Sequence, residues 1–355
     1  VDSELTEGIV IMEIVLVLAA TESDGSLGKA ARETLSGAKE LAAGLGGAKL
    51  FVGLLGGETQ AAADSLAACG AEKIFSVAGA DFAQPRYGTD AAAAEAIVRA
   101  AGATLVLAPA TSRISRILSG VAHRLGGRID THATGVIARD GAPLLTRWYY
   151  RQRMMANLKR TQRPWFMTIE SGSWTDWSGA PGKAAVETVA VTLADAAKRT
   201  TVTGTQSPSV GEQTIRPDAE LLFVAGAGWC KKQRSGQLRV ADAEKLILDF
   251  LRKTQSSLGG SKSLVDQSGE GATVLRFMTH LNQIGQTGST PRHPKGLATC
   301  CHGEEPHVVG WRFVNERRAI NLDAGCGWAQ GKADVLYVAD AFEVMEKVNA
   351  LLAGK

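Results

Sequence analysis

Six consecutive residues, Gln283-Ile284-Gly285-Gln286-Thr287-Gly288, carry the most specific chemistry in the chain. Glycines bracket an amide and a hydroxyl, so open backbone N–H groups stand beside side-chain donors. Such a loop can lie along a flat polar ring or a ribityl-phosphate chain; the alternative is an ordinary glycine turn. A second cluster, Cys300-Cys301-His302-Gly303-Glu304-Glu305-Pro306-His307, follows, and four of the six histidines (His280, His293, His302 and His307) fall between 280 and 307. Adjacent cysteines with a His-x4-His spacing and no second knuckle make a poor zinc site. A loop that feeds a donor to a bound ring fits that spacing better. A third segment, residues 218–228, runs from apolar residues into Gly226-Ala227-Gly228. A glycine turn after a strand lets backbone approach a phosphate at a helix start. Lys231 stands where the dinucleotide fingerprint would have its third glycine, so that fingerprint is incomplete. Asn321-Leu322-Asp323 and Ala339-Asp340 are polar strand ends. An Asp there can accept from a ribose hydroxyl or an adenine amine, or it can cap the following helix. No Ser-His-Asp, paired-carboxylate or Walker arrangement stands out, which favours a carrier of redox chemistry over a hydrolase.

These segments need a scaffold that gathers strand ends. Continuous apolar runs predict strands at 14–19, 50–55, 73–77 and 105–108, alternating with helical spacing at 26–43, 61–69, 90–101 and 115–125. That alternation predicts a parallel α/β sheet. The texture then changes: 134–137, 144–147 and 165–170 read as strands without helices between them, a short antiparallel excursion. Within it Arg147-Trp148-Tyr149-Tyr150-Arg151-Gln152-Arg153 interleaves aromatics with arginine. That pattern can stack on bases; the alternative is a strand pair at an interdomain or subunit contact. Residues 200–217, rich in Thr, Ser, Gly, Gln and Pro, read as a linker. Alternation resumes beyond it, with strands predicted at 221–225, 263–265, 297–299, 319–322 and 335–338 and helices at 241–254 and 342–352. The expected fold is therefore α/β in two lobes.

Composition bounds the function. The chain has 355 residues, 45% hydrophobic and 21% charged, so it can bury a core. A net charge of +3 gives no general case for nucleic-acid or membrane-surface binding. Five scattered cysteines read as reduced thiols in a cytoplasmic setting. No apolar run reaches the ~18 residues of a membrane span. Met12, followed by Glu-Ile-Val-Leu-Val-Leu, reads as a natural start, with residues 1–11 an extension or a remnant. Glycine is the outlier, 40 of 355 against a usual ~7%.

In this order the segments resemble the alpha subunit of electron transfer flavoproteins, over nearly the whole chain from Met12 onward. The family's Gln-Val-Gly-Gln-Thr-Gly appears at 283–288, and its Ala-Ser-Arg as Gly260-Ser261-Lys262, followed by the expected Asp266. Its Ser-Gly-Ala-Ile-Gln-His falls on residues 302–307, of which only Gly303 and His307 are kept. Its Ile-Asn-Lys-Asp becomes Ile320-Asn321-Leu322-Asp323, and its Gly-Asp-Leu becomes Ala339-Asp340-Ala341. One departure concerns the family's Gly-Gly-Arg-Gly, whose Arg lies against the flavin; here it reads Gly226-Ala227-Gly228-Trp229, with Lys231 and Lys232 following. A cation near the ring stabilises reduced, anionic flavin, so its loss lowers the potential. Lys231 restores part of that charge, or Trp229 stacks on the ring. Glu304 and Glu305 push the same way if they face the flavin and are silent if they face solvent.

The resemblance implies an N-terminal parallel α/β domain over 12–199 that contacts a beta subunit, a linker over 200–217, and a doubly wound FAD-binding α/β domain over 218–355. It implies an electron carrier rather than an enzyme with its own substrate. FAD would be held by Ser261 and Lys262, by Gln283, Gly285, Gln286, Thr287 and Gly288, by His302, Gly303 and His307, and by Asn321, Asp323, Asp340 and Ala341. His307 would donate toward the flavin N1 and C2 carbonyl; Thr287 and the Gln286 backbone would sit by N5 or the C4 carbonyl. Ser261, Asn321 and Asp340 would hold phosphates, ribose or adenine. The implied partners are the electron transfer flavoprotein beta subunit, a flavin-dependent dehydrogenase, and a downstream acceptor such as a quinone oxidoreductase. Neither nucleic acid nor membrane insertion is expected. Two alternatives remain: a flavin-depleted nucleotide-binding or structural subunit, and a NAD-dependent dehydrogenase, against which the incomplete fingerprint counts.

Overall fold

Runs such as Val15-Leu16-Val17-Leu18 have no polar face, so they form strands covered on both sides. In the computed structural model these are β1 (Ile14–Ala20), β2 (Lys49–Gly56), β3 (Lys73–Ala78) and β4 (Leu105–Pro109). The structure describes residues 12–149, 154–204, 215–216, 219–266, 274–284, 293–299, 314–325 and 333–354. The chain divides into two units, Val1–Thr205 and Gln206–Lys355.

In the first unit the strands alternate with α1 (Lys29–Gly44), α2 (Gln60–Ser65), α3 (Ala80–Ala83), α4 (Tyr87–Ala101) and α5 (Ser112–Arg124). Then come β5 (Arg128–Arg139), β6 (Ala142–Tyr149), β7 (Met154–Leu158), β8 (Trp165–Ile169) and β9 (Glu187–Thr188). They join one sheet in the order β7-β6-β5-β8-β4-β1-β2-β3-β9. Alternate residues face opposite cores: Val15, Val17, Trp165 and Met167 pack with Leu35 and Leu41 of α1, while Leu16, Leu18 and Phe166 pack with Ile97 of α4 and Ile117 of α5.

The antiparallel excursion is β5-β6-β7. The strand at 165–170 does not belong to it. β8 inserts between β4 and β5 and runs parallel to both. All five of its residues are buried, and a strand without an exposed face belongs in the sheet's interior.

Buried charge holds this insertion. Asp130, on β5, receives Arg160 Nε at 2.7 Å and a second guanidinium N–H at 2.8 Å, and the Trp165 indole N–H reaches it at 2.9 Å. Burial pushes the Asp130 carboxyl up, but these hydrogen bonds and the Arg160 and Arg147 charges outweigh it and hold it below its usual range. Asp90 of α4 is likewise buried and takes Arg113 through both oxygens, at 2.7 and 2.9 Å. There burial dominates and raises the carboxyl despite the arginine.

After β8 the chain makes a long strap around the same unit, a region without predicted elements. Asp176 pairs with Arg32 at 3.2 Å, and the Trp174 indole donates to Glu40. The Gly182 and Ala184 amides bond the backbone and side chain of Asp64. β9 then adds to β3, and Lys198 reaches Asp81 at 2.6 Å. No helix among the described residues is long and apolar enough to cross a membrane.

The second unit contains β10 (Leu221–Ala225), α6 (Val240–Thr254), β11 (Ser257–Gly260), α7 (Lys262–Asp266), β12 (Lys295–Thr299), β13 (Glu316–Asn321), β14 (Val335–Val338) and α8 (Ala341–Ala353). Its sheet is parallel throughout, in the order β11-β10-β12-β13-β14. The short strand predicted at 263–265 lies instead within α7, and the strand is the preceding Ser257–Gly260. Ser261 makes the switch: its hydroxyl accepts from Leu264 N at 3.2 Å, capping α7. β11 uses small residues because neighbours press on it. A Cβ on Gly260 would stand 2.2 Å from Met278 Cε, and one on Gly259 2.8 Å from Ile284 Cγ2.

Candidate functional site at the strand ends of the second unit

Parallel strands put all their carboxyl ends on one edge. The chain leaves β10 for β11 on one side and returns to β12 on the other. The β10/β12 junction is thus the topological switch point, where open α/β sheets receive ligands. There Gly226 N donates to Thr299 O at 2.9 Å, and Ala227–Cys230 form a single 3-10 turn. Trp229 of that turn is fully buried. Its indole N–H donates to Thr299 Oγ1 at 2.9 Å, and its ring meets Phe342 edge-on, centroids 4.6 Å apart. The expectation that Trp229 stacks on a bound ring is therefore corrected: Trp229 is a core side chain with its one donor satisfied. Burial pushes the neighbouring Cys230 thiol up, which makes it a poor nucleophile.

The other described candidates line the same edge. Ser261 is buried, and its amide bonds Ala225 O at 3.0 Å, so it sits beside the end of β10. Lys262 opens α7. Gln283 ends a 3-10 turn at His280–Asn282 and bridges to Gly260, at the end of β11. Asn321 ends β13, buried, with Oδ1 accepting from Asp323 N at 3.2 Å. Asp323 is exposed and accepts from Gly325 N at 2.8 Å. Asp340 follows β14 and caps α8 by accepting from Phe342 N at 2.8 Å, and Ala341 begins that helix. The helix-cap alternative for Asp340 is thus realised, with the second carboxylate oxygen left as an acceptor.

Asn321, Asp340 and Ala341 meet around a small cavity of about 10 Å³, together with Ile320, Leu322, Ala339 and Gln233. Gln233 escaped the sequence reading. Its amide donates to Gly228 O at 3.0 Å and Lys231 O at 2.7 Å, which holds the turn after β10 in place. A lone Gln five residues past a glycine turn gives no sequence signal for that. Gly285, Gln286, Thr287, Gly288, His302, Gly303 and His307 lie outside the described residues. So do Glu304, Glu305 and the Cys300 and Cys301 of the zinc reading. Among the described residues no group of three or more His, Cys, Asp or Glu could hold a metal ion.

The donor set suits a nucleotide in kind. Ser261 accepts from Leu264 and keeps its own O–H to donate, Asn321 steadies the Asp323 backbone through its Oδ1, and Asp340 offers an acceptor for a hydroxyl. A volume of about 10 Å³ admits about one water rather than a ring. The described edge therefore provides polar anchors, while 285–292 and 300–313, which adjoin it in sequence, lie outside the described residues. A larger groove of about 650 Å³, with Leu297, Ile320, Tyr337, Val344 and Val348 on its walls, opens over the sheet face beside α8. Its charged residues, Lys295, Glu316 and Arg318, lie toward the amino ends of β12 and β13, away from the carboxyl ends that carry Ser261, Asn321 and Asp340.

Comparison with known proteins bears on the first unit. The family model described as the electron transfer flavoprotein domain matches residues 15–196, from β1 through the strap. No curated protein matches the chain. Since that model spans just over half of the 355 residues, the chain belongs to the electron transfer flavoprotein domain family.

Proposed function

We propose that this chain is the FAD-binding alpha subunit of a heterodimeric electron transfer flavoprotein, carrying electrons in the cytoplasm from a flavin-dependent dehydrogenase to a downstream acceptor such as a quinone oxidoreductase. The supporting observation is a second, wholly parallel α/β unit following the matched domain, with Ser261, Asn321 and Asp340 all at strand carboxyl ends. The first domain, 12–199, contacts the beta subunit, and 200–217 links it to the FAD domain, 218–355.

FAD, when bound, supplies a ring that takes up and releases electrons. The chain's own residues bind and orient it. Ser261 donates its O–H to a phosphate oxygen, and Asp340 accepts from a ribose hydroxyl or the adenine amine through the oxygen its cap leaves unused. Asn321 positions the loop that carries Asp323. Lys262, Gln283, Ala341 and the motif residues Gly285, Gln286, Thr287, Gly288, His302, Gly303 and His307 complete the binding set, with His307 donating to the ring's N1 side. With no Arg in the turn after β10 and Trp229 in the core, that turn offers the ring neither a guanidinium nor an aromatic face. The ring's reduced charge is then compensated less, and its potential is low for the family.

The test is the visible spectrum of the chain co-expressed with its beta subunit. Flavin absorption that bleaches on reduction is the expected result. A colourless but fully assembled heterodimer refutes it and leaves the flavin-depleted subunit as the reading.

A further inference from the structure

Charge is distributed unevenly along this chain. Residues 128–163 contain eight Lys or Arg against two Asp, an excess of six, whereas the whole chain has an excess of three. The remainder is therefore net negative. The basic stretch coincides with one structural feature, the antiparallel margin β5-β6-β7 and its return to β8.

Part of that charge is internal, since Arg160 and Arg147 converge on buried Asp130, and Arg163 pairs with Glu13. Of the other described basic residues, Arg128, Arg139 and Lys159 face outward. Arg139 and Arg128 are exposed, and neither has an ion-pair partner among the described residues. Lys159 approaches Asp140 at 3.7 Å, but both are more than half exposed, where a pair contributes little.

The register adds an apolar component. Trp148 stands opposite Met155, and Ile137 opposite Leu144, so Ile137, Trp148 and Met155 project from one face of the margin. Leu145 and Leu158 use the opposite face, packing toward α1. Ile137 is 51% exposed and Met155 59%. β7 is also a terminal strand of the sheet, five residues long, whereas the strand at the other end, β9, has only two. A terminal strand with exposed apolar side chains invites a pairing partner.

We propose that this β5-β6-β7 margin is the docking surface for the partner subunit, which presents to it an acidic rim around an apolar patch. The proposal rests on the heterodimer reading given above. A second copy of the same margin would bring cation against cation, so self-pairing is opposed. A nucleic-acid strand would use the arginines and aromatics, but it leaves Ile137 and Met155 uncovered, and the Tyr149 ring is already faced by Arg147 at 4.4 Å.

The experiment measures association of the full chain with its beta subunit at low and at physiological salt. Arg139→Glu and Met155→Glu are both surface substitutions that keep the fold. Each is expected to raise the dissociation constant about tenfold or more, and Arg139→Glu also flattens the salt dependence. Amides of Met154–Leu158 gain exchange protection on association. If both variants associate as the parent does and those amides are unchanged, the docking surface is elsewhere and the heterodimer stands. Should the parent form no heterodimer, the subunit reading fails and this proposal with it. If the parent retains a mixed-sequence single-stranded oligonucleotide, and Arg139→Glu but not Met155→Glu abolishes this, the margin reads nucleic acid and the proposal is overturned.

Discussion

Replacing Asp130 by alanine tests whether the buried carboxylate locks β8 into the middle of the first sheet. Its side chain is 4% exposed, while that of Arg160 is 37% exposed. Removing one member of a buried pair costs about 3–5 kcal/mol. Solvent access to the Arg160 guanidinium moves this pair to the low end. The indole N–H of fully buried Trp165 also loses its acceptor, worth about 1–3 kcal/mol, and the two losses overlap. The expected total is about 3–4 kcal/mol. With a urea slope of about 2 kcal/mol/M, the midpoint falls by roughly 1.5–2 M. Because the chain has two units, the transition should be followed by amide exchange within β4 and β8, which belong to the first. Arg160→Ala, alone and combined with Asp130→Ala, closes a double-mutant cycle with a coupling of about 1–3 kcal/mol. A shift below about 0.5 kcal/mol for Asp130→Ala refutes the reasoning. Acid should show the same lock. The folded carboxyl lies below the ordinary 3.8, so its contribution is complete above that unfolded value and is lost as pH falls through the lower folded one. The parent's stability therefore falls more steeply below about pH 4 than that of Asp130→Ala.

Asp340→Ala should lower the stability of the second unit by about 1 kcal/mol through loss of the α8 cap, while Asp340→Asn, which keeps the cap, should not. If Asp340 also anchors the nucleotide, Asp340→Asn loses FAD more readily at unchanged melting temperature; equal FAD retention removes that role. Gly88→Ala places a methyl 2.6 Å from Ala197 O and 2.8 Å from its Cα, both backbone atoms that cannot swing aside. The strap should lift from α4, and trypsin should cut faster after Lys183, Lys198 and Arg199; unchanged cleavage would show that α4 yields instead.

The sequence disclosed those elements whose physics is local. Leu50, Phe51 and Val52 mark β2 by unbroken apolarity, and Leu35, Ala38 and Leu41 mark α1 by helical spacing. β11 escaped because Ser257-Leu258-Gly259-Gly260 has almost no apolar side chain; its burial comes from Met278 and Ile284, side chains supplied by distant segments. The strap escaped for a similar reason: Trp174, Asp176 and Glu187 are held by contacts with residues far away in sequence, and no period joins them. At the candidate site the strand-end rule located Asn321 and Asp340, because strand ends are legible wherever strands are; Ser261 came from the family resemblance, since the strand expected at 263–265 would have put it before a strand rather than after one. The orientation of Trp229 was not legible, since nothing near it in sequence names Thr299 and Phe342 as its neighbours.

The strap also sets a schedule for biosynthesis. Lys73 and Glu187, which pair where β3 meets β9, are separated by 114 residues. At about 5–20 residues per second, translation takes roughly 6–23 s to deliver the second after the first. Through that interval β3 is a bare sheet margin on a nascent chain, open to pairing with a neighbouring polypeptide. A slow ribosome or a shortened message ending just after β8 would prolong that exposure. A chain ending near residue 170, although it holds eight of the sheet's nine strands, would emerge prone to aggregation.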